Sequence, residues 1–537
     1  MKLSPSAHAD TFCRDNLPPA GQWPALRFDL PELQYPEQVN CATVLLDEVA
    51  AEHGPDRPCL LTADDSWTYG ELLTRANQVA RVLTEDIGLV PGQRVLLRGP
   101  NNPWLVASWF GVLKAGGVVV TTMPMLRSLE LGPLTQLTQP AVAICDHRFT
   151  GELASATPGL RLVPYGGTSD GDLIKLCAAK PGTFTDVATA ADDVAMLAAT
   201  SGTTGTPKAT MHFHRDVLAV ADTFGKYLVR SQPTDVFAGT PPLGFTFGLG
   251  GLLVFPMRAG AATLLLERAT PPELAEAVAR FGVTVLFTSP TAYRAMLRAG
   301  KASSLTGLRT AVSAGEHLPK GVWDDFFEQT GIRLVDGIGS TEMLHVFAAA
   351  AGDDIRPGST GKAIPGYQAE VLAPDGSPAA DGEPGRLAVI GPTGCRYLAD
   401  PRQSDYVQDG WNITGDTYIR DADGYLWYQG RSDDIIVSAG YNIAPAEIER
   451  ALEQHPDVAE CAVVGKPDPD RGMIVHAAVV LAGGVTGGDA KVAELQDFMK
   501  QRMAPYKYPR SIEFVVALPR TATGKVQRFR LRAGAAS

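Results

Sequence analysis

The chain has 537 residues, of which 45% are apolar, so it can bury a large core and exceeds what one core usually supports. Its formal net charge of -12 argues against a nucleic acid as the partner. The seven cysteines are odd in number, widely scattered and without a CxxC pair. This pattern favours a reducing cytoplasm over a disulfide framework or a structural zinc site.

Two segments bear on secretion and on membranes. Residues 1–17 lack the apolar core of a signal peptide, so secretion is not expected. The most apolar long stretch, residues 243–266, is interrupted by several glycines, Pro256 and Arg258. We interpret this stretch as buried elements of a soluble protein and expect no membrane partner.

Helical and strand-like patterns alternate from about residue 44 to residue 160. Helices are predicted at 68–85 and 103–115, and strands at 94–97, 117–121 and 141–143. The same alternation returns later, with strands predicted at 261–266, 283–288 and 310–313 and helices at 272–281 and 290–297. Helices alternating with buried apolar strands indicate largely parallel sheets. We therefore expect two α/β subdomains.

A loop rich in glycine and hydroxyl side chains lies between these two units. The apolar run 194–199 predicts a short buried strand, and the chain continues as Thr-Ser-Gly-Thr-Thr-Gly-Thr-Pro-Lys from Thr200 to Lys208. Glycines let backbone N–H groups turn toward an anion, hydroxyls donate hydrogen bonds, and lysine adds a positive charge. The spacing differs from the common P-loop. The stretch predicts a phosphate-binding loop, with a flexible surface loop as the alternative; its candidate residues are Thr200, Ser201, Gly202, Thr203, Thr204, Gly205 and Lys208.

The pattern of predicted elements changes beyond about residue 352. Strands separated by proline and glycine are predicted at 369–372, 385–390, 418–420 and 425–428, with Asp423-Gly424 as a hairpin turn. This indicates a β-rich subdomain. The last hundred residues mix helices (446–454, 491–502) with strands (459–464, 474–481, 512–516) and are long enough for a small α+β domain. We place the boundary between domains 1–432 and 433–537.

Four further motifs carry candidate chemistry. In Asp336-Gly-Ile-Gly-Ser-Thr-Glu342 the glycines allow close approach to a flat ligand, and the terminal carboxylate is a candidate Mg²⁺ partner. Trp411-Asn-Ile-Thr-Gly-Asp416 ends in a carboxylate suited to a ribose diol. The remaining two are the stretch from Gly430 to Asn442 at the domain boundary and Pro519-Arg-Thr-Ala-Thr-Gly-Lys525.

In this order and spacing, the five blocks strongly resemble the adenylate-forming superfamily of acyl-CoA synthetases, luciferases and peptide-synthetase adenylation domains. The resemblance covers nearly the whole chain. It implies a large N-terminal domain, a small mobile C-terminal domain, and ATP, Mg²⁺ and coenzyme A as reactants and cofactors. It also implies a two-step reaction in which a carboxylate and ATP give acyl-AMP and pyrophosphate, and a thiol then displaces AMP.

The resemblance assigns roles to individual residues. The loop from Thr200 to Lys208 would hold the β- and γ-phosphates, and Thr341 and Glu342 would act in catalysis, with Glu342 on Mg²⁺. The adenine would be bordered by Gly315, Glu316, Asp336, Gly337 and Ile338, and the ribose would be bound by Asp416 and Arg431. Asp433 would be the hinge, Lys525 the adenylation lysine, and Ser438, Gly440 and Tyr441 would border the thiol tunnel. The family usually has an aromatic residue in the position of Ile338, so stacking on adenine is not expected here.

Within the superfamily, the stretches 241–250, 313–319 and 340–345 look most like benzoate-type and especially 2-aminobenzoate–CoA ligases. Phe245, Phe247, Gly339 and His345 would then line the pocket of a small aromatic acid, and we expect Gly339→Val to exclude the ring while leaving ATP binding intact. Plain core packing is the alternative for the two phenylalanines. Medium-chain fatty acids or a carrier protein as thiol acceptor remain open, and a homodimer is a further option. Retention of Glu342 and Lys525 speaks against a nucleotide-binding protein without catalysis.

Overall fold

The computed structural model describes residues 3–201, 206–431, 435–519 and 526–532, with backbone only for Ser201 and Phe529. Within these ranges, two sheets of mainly parallel strands form the framework of the N-terminal part. The first has six strands in the order Arg161–Tyr165, Val142–Asp146, Arg94–Arg98, Val118–Thr122, Val194–Ser201 and Pro207–Phe213. The second has nine, in the order Lys362–Ala363, Val346–Ala349, Leu334–Gly339, Thr310–Ser313, Val285–Thr288, Val236–Gly239, Ala262–Leu264, Pro58–Leu61 and Ser66–Thr68.

Helices cover the faces of both sheets, which is why strands such as Val118–Thr122 and Val142–Asp146 are buried along their whole length. The longer helices are Tyr69–Arg81 with its continuation Val82–Ile87, Pro103–Lys114, Ser128–Thr138, His214–Val220 with its continuation Ala221–Val229, Pro271–Phe281, Pro290–Arg298 and Lys320–Thr330. Shorter ones are Phe12–Asp15, Thr43–Asp47 continuing into Glu48–His53, Thr150–Ala156, Leu173–Ala178, Ala302–Leu305 and Gln403–Tyr406. The two predicted α/β units are therefore confirmed.

The sequence did not predict how the first strands are shared between the sheets. Pro58–Leu61 lies within the first α/β stretch of the chain but pairs in parallel with Ala262–Leu264 of the second sheet. Ser66–Thr68 then pairs with Pro58–Leu61 as an antiparallel edge strand. Alternation of helix and strand identifies parallel strands but does not say which sheet each strand joins.

The residues on either side of the candidate phosphate loop lie on two paired strands at one edge of the first sheet. Val194–Ser201 confirms the strand predicted at 194–199, and it pairs antiparallel with Pro207–Phe213. The hairpin therefore brings Thr200 and Lys208 opposite each other as cross-strand partners. The loop does not run into a helix as a P-loop does, which agrees with its different glycine spacing.

The apolar stretch 243–266 is folded as a helical run made of Thr246–Leu249, Gly250–Val254 and Phe255–Ala259, followed by the strand Ala262–Leu264. Gly260 ends the run in the left-handed conformation, with φ of 67°. In the part of the chain that the structure describes, every helix is too short or too polar to cross a bilayer.

The β-rich subdomain is an antiparallel sheet of Gln368–Leu372, Pro384–Ile390, Trp411–Arg420, Val407–Gln408 and Leu426–Arg431. The C-terminal part begins with the hairpin Ile436–Ser438 and Tyr441–Ile443, and contains the sheet Val458–Asp468, Gly472–Leu481 and Ser511–Phe514 and the helices Pro445–Leu452, Asp489–Arg502 and Arg528–Arg532. It has its own core, in which Ile448, Val463 and Met499 are fully buried. A boundary at residue 432 stays a prediction, because residues 432–434 lie outside the described ranges.

Candidate active site

A cavity of about 550 Å³ opens where the second sheet, the β-rich subdomain and the C-terminal part meet. The strands Val285–Thr288, Thr310–Ser313 and Leu334–Gly339 run parallel, so their carboxyl ends share one edge of the sheet. The cavity lies at this edge, where ligands bind in open α/β sheets. A second cavity of about 590 Å³ shares Phe245, Gly339 and Thr341 with the first and continues to Thr200 and Lys208.

Charged side chains meet at the end of the second cavity. Lys208 Nζ lies 3.1 Å from Glu342 Oε1, and the two side chains are 15% and 9% exposed. Burial alone would raise the pKa of Glu342, but Lys208 and the Tyr397 hydroxyl outweigh burial and hold this pKa below its usual range. Glu342 is therefore an anion at neutral pH. An ammonium and a carboxylate at this spacing fit a phosphate and a divalent cation.

Tyr397 completes this group, and sequence reasoning missed it. Its hydroxyl donates a hydrogen bond to Glu342 Oε1 and accepts one from Lys208 Nζ. Lys208 Nζ also lies 4.2 Å from the centre of the Tyr397 ring. The residue is aligned because its segment pairs with the strand that carries Lys208: Met211 N donates to Arg396 O at 2.8 Å. No local motif marks Tyr397, since its partners are about 55 and 189 positions away in the chain.

Tyr406 and His212 support the loop before Glu342. The Tyr406 and Ser340 hydroxyls are 3.2 Å apart, and the Ser340 hydroxyl accepts from the backbone N–H of Met343. His212 Nε2 donates to the Thr341 carbonyl at 2.8 Å. Burial lowers the pKa of His212 to about 3, so the ring is neutral. These contacts hold Thr341 and Glu342 from the side that faces the first sheet.

One buried acceptor in the first cavity lacks a partner. Among the described residues, Asp336 Oδ1 is buried and makes no hydrogen bond, and burial raises the pKa of this carboxyl well above its ordinary value. Gly315, Gly337 and Ile338 line the same region. An N–H donor on a flat ligand, such as the amino group of adenine, would satisfy Asp336. The residues present therefore fit the adenine of ATP.

Other predicted nucleotide contacts lie around the same cavity. Asp416 and Arg431 are cross-strand partners in the β-rich sheet and form an ion pair of 3.2 Å. Glu316 accepts a hydrogen bond from the backbone N–H of Thr291 at 2.8 Å. Tyr428, which sequence reasoning did not select, lines the cavity and its ring stacks on His317 at 5.2 Å between centres. Aromatic surface is thus present although position 338 is aliphatic.

The opposite end of the first cavity is aromatic. Phe245, Phe247, Gly339 and His345, which the resemblance assigns to an acyl pocket, all line this cavity. The His345 ring lies 5.7 Å from the centre of Phe247 and 4.6 Å from that of Phe255. Phe247 therefore fits both alternatives given for it, core packing and a pocket wall, since it packs on the core and lines the cavity.

His345 is the polar member of this aromatic end. Its side chain is buried, and neither ring nitrogen has a hydrogen-bond partner of normal geometry among the described residues. Burial lowers the pKa of His345 to about 3, with a small opposing effect of the Phe247 backbone, so the imidazole is neutral. A neutral imidazole offers one N–H donor and one acceptor nitrogen to a ligand.

The structure explains why position 339 is a glycine, which the sequence did not indicate. A Cβ at this position would lie 2.6 Å from the His345 carbonyl oxygen, because Gly339 pairs with Val346 across an irregular strand register. Gly339→Val would therefore push on the backbone of His345 and Val346. The expectation that this change selectively excludes the ring is corrected: it would also disturb the strand pairing.

The C-terminal part reaches the cavity through the turn between its first two strands. Gly440 lines the cavity next to Gly315, and its φ of 82° requires the left-handed conformation that glycine tolerates. Ser438 is buried at the end of its strand. The Tyr441 ring stacks on Tyr506 at 4.1 Å between centres. Of the three residues predicted to border a thiol tunnel, Gly440 and Tyr441 line the cavities.

Several predicted site residues lie outside the described residues. These are Gly202, Thr203, Thr204, Gly205, Asp433 and Lys525, and only the backbone of Ser201 is described. Their roles in phosphate binding, hinge motion and adenylation stay predictions. The same holds for the roles of the described residues, whose positions are compatible with those roles.

Comparisons with known proteins agree with this arrangement. The profile of the AMP-binding enzyme family matches residues 46–397, and that of the AMP-binding enzyme C-terminal domain matches residues 447–525. A benzoate–CoA ligase of Thauera aromatica is 34% identical over 513 residues, which cover 94% of this chain and 97% of the relative.

Two solved structures are similar over most of the chain. The anthranilate CoA ligase AuaEII, in complex with anthranoyl-AMP, is 33% identical with a TM-score of 0.73, and the match covers 94% of this chain and 98% of that one. The amide bond synthetase McbA of Marinactinospora thermotolerans is 27% identical with a TM-score of 0.83, covering 92% and 99%. The chain is thus similar both to a CoA ligase and to a protein named for forming an amide bond.

Proposed function

The chain belongs to the family of AMP-binding enzymes, and from that premise we propose that it joins a small aromatic carboxylic acid to coenzyme A with cleavage of ATP to AMP and pyrophosphate. The preferred acid in this proposal is 2-aminobenzoate, followed by benzoate. One observation carries it: adjoining cavities have a charged end at Lys208 and Glu342 and an aromatic end at Phe247 and His345.

The charged end suits ATP. Lys208 offers its ammonium to the phosphates, Glu342 offers a carboxylate to Mg²⁺, and Asp336 has an acceptor free for the adenine amino group. Mg²⁺, when bound, neutralises charge on the phosphate oxygens. Before ATP binds, Lys208 and Glu342 neutralise each other across 3.1 Å, so ATP binding exchanges this pair for phosphate and metal contacts.

The reaction needs two displacements. In the first, a carboxylate oxygen of the acid attacks the α-phosphorus, the bond to the β-phosphate oxygen breaks, and pyrophosphate leaves. Two anions approach each other, so cationic groups must lie where charge develops; we assign this role to Lys525. In the second, the sulfur of coenzyme A attacks the acyl carbon and the thiol proton is released to solvent, while the acyl–oxygen bond breaks and AMP leaves with that electron pair.

The aromatic end favours a flat, uncharged ring. The positions assigned to it, Phe245, Phe247, Gly339 and His345, include no lysine or arginine, and His345 is neutral. A second carboxylate on the acid would be buried without a partner at a cost of several kcal/mol, so dicarboxylates should be rejected. An amino group on the ring adds no second charge, and we assign its recognition to His345, the polar side chain among the four positions.

The relatives support the aromatic acid, since one is a benzoate–CoA ligase and another an anthranilate CoA ligase. The amide bond synthetase suggests a second acceptor class, an amine in place of the thiol. Medium-chain acids remain the alternative for the acid. A homodimer and a cytoplasmic location are proposals that rest on the sequence alone.

The intermediate gives a direct test. The protein is incubated with ATP, Mg²⁺ and 2-aminobenzoate without an acceptor, and the products are analysed by mass spectrometry. We expect 2-aminobenzoyl-AMP and pyrophosphate, and complete conversion of the adenylate to the thioester when coenzyme A is added. Formation of ADP, or no acid-dependent pyrophosphate with any aromatic acid, would contradict the proposal. If the adenylate reacts with a small primary amine and not with coenzyme A, the acceptor is an amine and not a thiol.

A further inference from the structure

Three charged side chains meet in a buried cluster between the N-terminal part and the C-terminal part. Lys507 Nζ contacts a carboxylate oxygen of Glu130 and lies 2.6 Å from Glu447 Oε1. The Lys507 and Glu130 side chains are only 5% and 4% exposed, and Glu447 is 16% exposed. Glu130 belongs to the helix Ser128–Thr138 beside the first sheet, whereas Lys507 and Glu447 belong to the C-terminal part. The contact between Lys507 and Glu130 therefore joins the two parts.

Glu130 is held on its own side by the start of its helix. Its Oε2 accepts a hydrogen bond from the backbone N–H of Arg127 at 2.8 Å, as the third residue of a helix does toward its N-cap. The same oxygen accepts from the backbone N–H of Ala504 at 3.0 Å, which is a second contact across the boundary. Glu130 thus presents both carboxylate oxygens to the C-terminal part from a fixed position.

The cluster holds two carboxylates and one ammonium, so it depends on its lysine. Without Lys507, the carboxylates of Glu130 and Glu447 would face each other with little exposure to water, and the weaker influence of Arg450 would be left to offset Glu447. Removing one partner from a buried ionic group is strongly unfavourable because the remaining charge stays unpaired. Without Glu130, by contrast, Lys507 and Glu447 still form a balanced pair within the C-terminal part.

The cluster is mechanically linked to the turn that enters the first cavity. Tyr506 precedes Lys507, and its ring stacks on Tyr441. Tyr441 follows Gly440, which lies against Gly315 and donates its N–H toward the Glu316 carboxylate. The stacked rings of Tyr506 and Tyr441 therefore connect Lys507 to the turn that borders the cavity.

We propose that Lys507 and Glu130 are a positioning pair that holds the C-terminal part in the arrangement in which residues 438–441 border the cavity, and that the transfer of the acyl group to the thiol requires this arrangement. The inference rests on the two-step function proposed above. Lys507 and Glu130 line the second cavity, but they pair with each other and not with Lys208 or Glu342. We therefore expect adenylation not to need the pair.

The half-reactions separate this role from a general loss of activity. Adenylation is measured as acid-dependent pyrophosphate release without coenzyme A, and transfer as thioester formation from supplied acyl-AMP. We expect Lys507→Met to slow transfer at least roughly thirtyfold, because it removes the ammonium that contacts both carboxylates. Glu130→Gln, which retains the helix cap, should slow transfer about three- to tenfold. Adenylation should stay within about twofold of the wild type in both variants.

The double variant tests the charge argument itself. In the Lys507→Met background, Glu130→Gln removes one of the two facing carboxylates. The double variant should therefore transfer the acyl group faster than Lys507→Met alone, a non-additivity expected only for residues that interact directly. A matched control is Lys500→Met, which removes an exposed lysine paired with Asp497 on the helix Asp489–Arg502 and should leave both half-reactions unchanged.

A second measurement reports the position of the C-terminal part without relying on enzyme activity. Arg298 and Asp470 form an exposed ion pair across the same boundary, with side chains 60% and 67% exposed. Cysteines placed at both positions should be joined by a short bis-maleimide, because all seven native cysteines are buried and do not compete. We expect Glu130→Gln and Lys507→Met to lower the initial rate of cross-linking in the same order in which they lower transfer.

The outcomes distinguish this inference from the proposed function. If the wild type forms no thioester at all, the two-step function fails. If thioester forms and Glu130→Gln and Lys507→Met leave transfer and cross-linking unchanged, or slow both half-reactions alike, the positioning pair is refuted while the function stands. A double variant that transfers the acyl group more slowly than Lys507→Met alone would also refute the pair.

Discussion

The polar groups at the two ends of the active-site cavities differ in whether they already have partners. At the phosphate end, Lys208, Glu342 and Tyr397 are charged or hydrogen-bonded and satisfy one another. At the acyl end, His345 is neutral, lies among phenylalanine rings and has two nitrogens without a partner in the described residues. The phosphate end therefore exchanges existing contacts when a ligand binds, whereas the acyl end gains contacts that it lacks.

This difference predicts where substitutions act. Changes at the phosphate end should affect every acid equally, because they alter the reaction of ATP. Changes at the acyl end should alter the choice among acids and leave ATP binding intact. The predictions below test this division, beginning with the largest expected effect.

Lys525→Ala should lower adenylation of every acid by at least roughly two to three orders of magnitude, as loss of a group that stabilises developing charge typically does. Thioester formation from supplied acyl-AMP should survive. Pyrophosphate release and thioester formation, measured separately, check both statements. Equal loss of both half-reactions would mean that Lys525 does not act on the first step alone.

Tyr397→Phe should weaken the phosphate end roughly tenfold, because it removes a hydrogen bond to the charged Glu342 and another from Lys208. We expect a higher KM for ATP and a higher requirement for Mg²⁺ with every acid, and weaker binding of MgATP by calorimetry. Tyr227→Phe is the matched control, since its hydroxyl also donates to a carboxylate, that of Glu32, and Tyr227 lines neither cavity. A change in selectivity among acids would contradict the division between the two ends.

His345→Leu should lower kcat/KM for 2-aminobenzoate about tenfold and leave that for benzoate within about twofold, since only the first acid carries a group that uses the imidazole. Leucine has a similar volume and no polar atom. The KM for ATP should not change. Equal losses for both acids would assign His345 to packing.

Three buried histidines, of which only His345 lies at the acyl end, predict that the stability of the fold is sensitive to acid. Burial lowers the pKa of His212, His214 and His345 to about 3 in the fold, whereas an unfolded histidine titrates near its ordinary value of 6.5. The unfolded chain therefore binds more protons between these pH values, and the folded state loses stability as pH falls from 6.5 toward 3. Each histidine contributes about 1.4 kcal/mol per pH unit in this window.

Denaturant unfolding at several pH values checks this slope. His345→Leu should make the slope shallower by about one proton, or about 1.4 kcal/mol per pH unit. Phe327→Leu is the control, because it changes an exposed side chain without a titratable group, and it should leave the slope unchanged. An unaltered slope in His345→Leu would show that this imidazole is not held neutral by burial.

The residues that we assign to the phosphates could be selected from the sequence, whereas the residues that support them could not. Thr200 and Lys208 lie within nine residues, and Asp336 to Glu342 within seven, so their chemistry is visible as local motifs. Tyr397 and His212 were missed because their partners lie far away in the chain and a single tyrosine or histidine carries no spacing signal. Glu130 was invisible for the same reason, since its partner Lys507 is most of the chain length away.

The sheets show the same limit. Strand positions such as Thr310–Ser313 were predicted to the residue, because buried apolar runs mark strands directly. The pairing of Pro58–Leu61 with the second sheet and the role of Gly339 depend on which backbone passes alongside, which no local pattern contains. The sequence therefore predicts the positions of strands and local motifs, but not which distant segments pack against them.

The most direct test of the aryl-acid assignment is a panel of acids compared by kcat/KM for pyrophosphate release with coenzyme A present. The panel contains 2-aminobenzoate, benzoate, hexanoate, octanoate and the dicarboxylate phthalate. We predict that 2-aminobenzoate ranks first and benzoate second, that both exceed the two fatty acids, and that phthalate is not a substrate, since its second charge would be buried unpaired at the acyl end. A higher kcat/KM for hexanoate or octanoate than for every benzoate would contradict the assignment and favour a medium-chain acid.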